Sequence, residues 1–431
     1  MTQGYVEEFA RTRTSPAPGW LAALRERGMT RFSAVGFPAP REEDWRFTDV
    51  GPIAKAAFAP APAAGQPVTQ GAIAPFAFGA QEGIRLAFVN GRFAAALSVR
   101  PSLPSGVTVA PLTEALGTPA LARLIEGRLG VLAPAEMTPF VALNAALHTD
   151  GALVHLPTGV ALVPTIHLLV IAGPDAAGSM AHLRSLIVLE PGASAKVVEH
   201  YVSLAEGEYF VNAATEVSVG ANAELTHYQI QRQGARAFHT AAISVRQERD
   251  SRYHGFSASI GARICRHDTR SVFAGPGGEC NLDGLYLGRA DQLVDNHTTI
   301  EHRAPNCGSR ELYKGVLTGR SHAVFNGKLF VTPEAQKTDG KQTNRNLILS
   351  DSARVDTKPQ LEIFADDVKC THGATVGRLE QLPLFYLESR GIGPILGQKI
   401  LTYAFAAEML TGLTVDPVRG QLEALVASWL E

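Results

Sequence analysis

The chain has only four cysteines in 431 residues, at positions 265, 280, 307 and 370. So sparse a set excludes a disulfide framework, and without a CxxC or an HExxH the commonest self-contained zinc sites are excluded as well. No GxxxxGK[ST] loop is present, so any dependence on ATP has to come from another subunit. The nearest approach to a GxSxG nucleophile elbow, GFSAS from Gly255, fails at its last position. Charge of one sign is also lacking, with 39 Lys and Arg against 41 Asp and Glu and a formal net charge of -2, which argues against nucleic acid or an anionic membrane as the main partner. The longest apolar run, Val160 to Ala172, is short and broken by Pro164 and His167, and Glu7 and Glu8 precede any apolar stretch. Neither a membrane span nor a signal peptide is expected, and the scarce cysteines point to a reducing cytoplasm.

What is present divides the chain into three parts. Residues 1–150 read as a mixed, largely helical region. Trp20, Leu21, Leu24 and Phe32 form an apolar stripe, and the segment REEDWRFTDV (Arg41 to Val50) sets Trp45 and Phe47 among charges in a way that suits a docked turn. Ala54 to Gly83 is rich in Ala, Pro and Gly and reads as a loop or linker, followed by short strands from Arg85 to Val109 and a helical pattern from Leu112 to Leu132. Residues 151–376 are persistently strand-like, with apolar strands running into small-residue turns, and Gly192 and Gly220 mark a repeat of about 28 residues. Such a pattern suits a β-solenoid or an antiparallel sandwich, and the periodicity alone does not separate them. Residues 377–431 return to helix in three segments, beginning near Glu380, Ile395 and Pro417, with Asp416 as the expected N-cap of the last. The middle segment is apolar on much of its circumference through Ile400, Leu401, Tyr403, Phe405, Met409 and Leu410, so it is either sandwiched within its own protein or left for a partner.

Chemistry concentrates near the end of the strand-rich region. Cys370 and His372 stand two residues apart in an extended segment, so the thiol and the imidazole project from one face. Two soft or borderline ligands could grip a metal or an iron–sulfur fragment, yet they make at most half of a four-coordinate shell. Cys265, Cys280 and Cys307 read as buried packing residues without a ligand neighbour, and His155, His167, His182, His200 and His227 as hydrogen-bonded structural groups. A solenoid could also carry a carbohydrate-active site, but the adjacent Asp366 and Asp367 would face opposite ways on a strand and cannot act as a pair.

The segments ELYKGVLTGRSHAVFNGKLFV from Glu311, AQKTDGKQTNRNLILS from Ala335, KPQLEIFADDVKCTHGATVG from Lys358 and LFYLESRGI from Leu384 closely resemble the C-terminal half of the SufB/SufD family, whose members assemble iron–sulfur clusters in the Suf system. EDWRFTDV from Glu43 resembles the matching N-terminal segment. Within the family the chain looks like the SufD branch, because the assembly cysteine of the SufB branch falls about where Asn344 stands, and no cysteine lies between 307 and 370. The resemblance implies a right-handed parallel β-helix flanked by helical N- and C-terminal regions. It further implies a non-catalytic subunit that pairs with SufB through the β-helix and docks the SufC ABC ATPase through its C-terminal helices. His372 would then face the SufB cysteine at a transient iron–sulfur cluster or iron site, with Cys370 beside it. The alternative within the family is a purely architectural subunit with no cluster ligand. Whether the isolated chain forms a homodimer is left open by the sequence. The family has been linked to reduced flavin, but no flavin fingerprint stands in this sequence.

Overall fold

The computed structural model describes residues 2–12, 17–62, 65–81 and 83–431. Its centre is a solenoid of sixteen strands, from Ala152–Leu156 to Lys369–Gly377, that alternate between two ten-stranded sheets. Consecutive strands never pair with each other. Each pairs in parallel with the strand two places on, so that Glu279–Gly288 lies beside Gly308–Leu317, and that beside Asp339–Ile348 and then Lys369–Gly377. Strands of the second sheet begin at residues 194, 224, 252, 279, 308, 339 and 369, a coil of 27 to 31 residues that accounts for the spacing of Gly192 and Gly220. Parallel pairing excludes the antiparallel sandwich.

Side chains alternate between the faces of each strand, so every coil contributes one row to the space between the sheets. Tyr201, Val217, Leu225, Ile243, Tyr253, Cys265, Cys280, Tyr286, Tyr313 and Phe325 fill it. Two of these rings sit where a neighbouring coil has a glycine. A Cβ on Gly315 would lie 2.0 Å from the Tyr286 ring, and one on Gly284 2.2 Å from the Tyr313 ring.

The two outer faces are covered by different ends of the chain. Helices α1 (Gly19–Val35) and α2 (Pro139–Leu147) pack with Trp45 against Met180, Phe210, Phe238 and Ile264 of the first sheet. The three C-terminal helices are α3 (Gln381–Ser389), α4 (Pro394–Ala407) and α5 (Asp416–Trp429). Met409 and Leu410, just beyond α4, and Val418, Leu422 and Val426 of α5 bury themselves on Tyr228, Phe256, Leu285 and Val316 of the second sheet. The expected N-cap of α5 falls one residue early: Val415 is the cap, without a side-chain hydrogen bond, and Asp416 turns inward along the first turn to pair with Arg419 at 2.7 Å. A carboxylate in the first turn still complements the helix dipole.

The Ala/Pro-rich stretch is no slack linker where it is described. Ile73 is buried and the Phe78 ring stacks on His167 with centroids 4.0 Å apart, which fastens residues 65–81 to the second sheet; positions 63, 64 and 82 lie outside the described residues. No helix among the described residues is long and apolar enough to cross a membrane.

The solenoid's ends differ. At the N-terminal end the sheets finish in the short strands Arg92–Phe93 and Thr108–Pro111, both antiparallel to their neighbours. At the other end they finish in Arg354–Ile363 and Lys369–Gly377, ten and nine residues long, whose outer edges pair with no described strand.

Candidate functional site

The candidate ligands lie on this open end. Cys370 packs against the interior cluster, so it and His372, two residues on, belong to the inner face of the last strand. Cys370 registers with Gly340 and His372 with Gln342 on the preceding strand. Gly340 makes room for Leu329, since a Cβ there would lie 2.5 Å from its Cδ2 and only touch Cys370 Sγ, at 3.5 Å. Cys370 is half-buried while His372 is exposed.

Their chemistry is unequal. Burial pushes the Cys370 thiol above its ordinary pKa, against a lowering contribution from the Gly340 backbone, and nearby Asp339 raises it further. The thiol therefore stays protonated at neutral pH and is a poor nucleophile until a metal displaces its proton. An imidazole, unlike a thiol, carries a metal-binding lone pair in its neutral form. Among the described residues no group of three or more His, Cys, Asp and Glu is arranged to hold a metal ion, so no third donor of this chain joins the pair.

Behind His372 the inner face is polar for two coils. Gln342 donates through Nε2 to Glu311 Oε2 at 2.7 Å, and Glu311 is the residue in register with Gln342 on the next strand inward. Burial lifts the Glu311 carboxyl to about 7, partly opposed by hydrogen bonds from Thr298 and Gln342. Asn344, on the same face as Gln342, is fully buried. Its Nδ2 donates to Tyr286 Oη at 3.0 Å and to the Tyr313 carbonyl at 3.2 Å, and its Oδ1 accepts from Asn346 at 2.6 Å. That position holds a hydrogen-bond clamp and no nucleophile.

Deeper in the solenoid lies a second Cys-x-His pair, Cys265 and His267, which corrects the reading of Cys265 as having no ligand neighbour. Sγ stands 3.6 Å from His267 Nε2. Burial, the largest cause at each, lifts the thiol to about 12 and pushes the imidazole down to about 4, so this pair is a sealed packing feature. Cys280 is likewise lifted to about 12 by burial. The histidines are mixed. His227 bonds Glu199 at 2.9 Å and Tyr253 at 3.0 Å, and His182 bonds Asn212 at 3.2 Å. His200 is different, because its ring packs against Phe76 and stacks on His167.

A second exposed feature adjoins the open end. Leu382, Phe385 and Tyr386 of α3 and Ile395, Leu396 and Ile400 of α4 all face solvent, with Leu382 and Ile395 77% and 75% exposed. The helix expected to be apolar on much of its circumference is thus divided: Gly397, Thr402 and Ala406 are buried, while Ile395, Leu396 and Ile400 are bare.

Comparison with known proteins agrees with this architecture. Residues 171–405 match the SufBD core domain of SUF-system FeS cluster assembly, and residues 3–168 match the SufBD N-terminal region. An iron–sulfur cluster assembly SufBD family protein of Synechocystis is 32% identical over 416 residues, covering 94% of this chain and 90% of its own length. The iron–sulfur cluster assembly protein SufD of Escherichia coli is 32% identical over 411 residues, covering 94% and 92%. SufD of Bacillus subtilis is 28% identical over 289 residues, covering 66% and 65%. With a strand-paired core and both terminal regions accounted for, the chain belongs to the SufB/SufD family of iron–sulfur cluster assembly proteins.

Proposed function

We propose that the chain is a SufD-like scaffold subunit of a cytoplasmic SufBCD-type complex. It pairs with a SufB-like subunit at the open end of the solenoid and binds a SufC-like ATPase through α3 and α4. His372 supplies an imidazole to a nascent cluster or to entering iron, and Cys370 assists as a second thiol. The chain itself carries out no catalytic step, and ATP hydrolysis belongs to the partner.

The observation that carries this reading is an exposed imidazole on an edge strand whose outer side is unpaired, with a thiol beside it and no third donor among the described residues. A half-shell on an open sheet edge suits a site completed across an interface. Imidazole is also easier to displace than thiolate, which suits a scaffold that must release its product. The bare apolar face of α3 and α4 suits a docked protein.

The test is anaerobic co-purification with candidate SufB and SufC proteins, followed by the visible absorption of wild type against His372→Ala. The expected result is an intact complex without cluster absorption; undiminished absorption in the variant would overturn the ligand role. A purely architectural subunit has one observation in its favour, the thiol held in its protonated form. Under that reading the double variant Cys370→Ala/His372→Ala assembles clusters normally.

A further inference from the structure

We propose that Gln342 is a positioning residue for His372: its amide oxygen accepts a hydrogen bond from the nearer ring N–H, which fixes the tautomer and leaves the other nitrogen's lone pair directed outward. The inference rests on the reading of His372 as a ligand, and it adds a residue that orients it.

Three observations lead to it. Gln342 and His372 are register partners on adjacent parallel strands and share the inner face, so their side chains rise side by side about 5 Å apart. The amide is held from behind with its NH2 end on Glu311, Nε2 donating to Oε2 at 2.7 Å. The oxygen is then the free end, and Gln342 Oε1 is buried without a hydrogen-bond partner in a residue only 4% exposed. A buried acceptor left unsatisfied is costly, and an imidazole turned toward it from the last strand would relieve it.

The neighbouring positions fit. Asn344, the next inner-face residue, has its oxygen taken by Asn346 and its nitrogen by Tyr286 and Tyr313, so it cannot serve. Gly327 on the opposite sheet makes the space, since a Cβ there would lie 2.2 Å from Gln342 Nε2. A ligating histidine whose second nitrogen is hydrogen-bonded is held in one orientation and is the more basic for it. In His372 that second contact would come from the preceding strand of the same sheet.

The test uses the full chain with 15N in its histidine rings, at neutral pH. A ring N–H that is hydrogen-bonded exchanges slowly enough to be seen, whereas one open to water does not. The wild type is expected to show one ring N–H resonance that is missing in His372→Gln, and Gln342→Met is expected to lose that same resonance while the signals of the buried histidines stay in place. Absence of the resonance from the wild type, or its survival unchanged in folded Gln342→Met, would overturn the inference. A His372→Ala variant that assembles clusters normally would instead remove the ligand reading and leave the hydrogen bond standing.

Discussion

Trp45 lies across the guanidinium of Arg266, with Cζ 3.6 Å from the ring centroid. Arg266 is itself held by Asp268 in two hydrogen bonds of 3.0 and 2.9 Å, by Asp295 at 2.8 Å and by the Asp44 carbonyl at 2.7 Å. Thr48 closes the arrangement with a 2.6 Å bond to Asp295. The short segment around Trp45 is thereby locked onto the first sheet, and the cation stays charged in a buried place because two carboxylates face it. Trp45→Ala removes both the stacking and a side chain only 4% exposed. The expected loss is about 3–5 kcal/mol, read as a lower urea midpoint with an unchanged slope.

Asp295 gives this lock a pH dependence. Burial raises its pKa, but the charges of His297 and Arg266 and the Thr48 hydroxyl outweigh that and hold it at about 2, below the ordinary 3.8. A depressed carboxylate contributes stability that is present above its unfolded pKa and is lost as pH falls through the folded one. The contribution is about 2 kcal/mol at neutral pH and fades between about pH 4 and pH 2. The stability gap between wild type and Asp295→Asn, followed by urea unfolding from pH 7 downward, should narrow over that window; a gap that widens would contradict the assignment.

The solvent-facing residues of α3 and α4 separate docking from folding. Phe385→Glu and Ile395→Glu replace side chains that are 67% and 75% exposed, so the melting temperature should move by no more than about 1–2 °C. Binding of a SufC-like ATPase, measured by co-purification, should fall at least tenfold, about 1.4 kcal/mol. Full retention of the ATPase in both variants would place its docking surface elsewhere.

Gly315→Ala tests the interior. The added methyl would overlap the Tyr286 ring, whose hydroxyl is tied to Asn344 and Asn346 and cannot swing away without releasing both. Overpacking of this kind costs about 1–3 kcal/mol or more. Tyr286→Phe in the same background removes the tether and should recover part of the loss; no recovery would mean that the Asn346 amide, whose Oδ1 would lie 2.6 Å from the added methyl, resists instead of the ring.

The elements that could be read from the sequence are those set by local chemistry. The three C-terminal helices are announced by Gly393, Pro394 and Pro417, and the coil length by the turns at Gly192 and Gly220. Parallel against antiparallel pairing was not legible from periodicity, since both alternate every second residue. Here the family resemblance supplied what the pattern did not. The same face for Cys370 and His372 followed from the strand period alone. Cys265 and His267 have the same spacing; what separates the pairs is burial, which depends on how many coils lie on either side. Neither the Trp45–Arg266 contact nor the Gln342–Glu311 bond could be read locally, because their partners lie 221 and 31 positions away.

The unequal ends of the solenoid give the molecule a polarity that limits how it can grow. Long open strands stand at one end only, and the other is closed by short antiparallel strands that offer little to pair with. Two such bodies joined open end to open end leave no further template exposed. An assembly built in that way would stop at a pair instead of running on into a fibre.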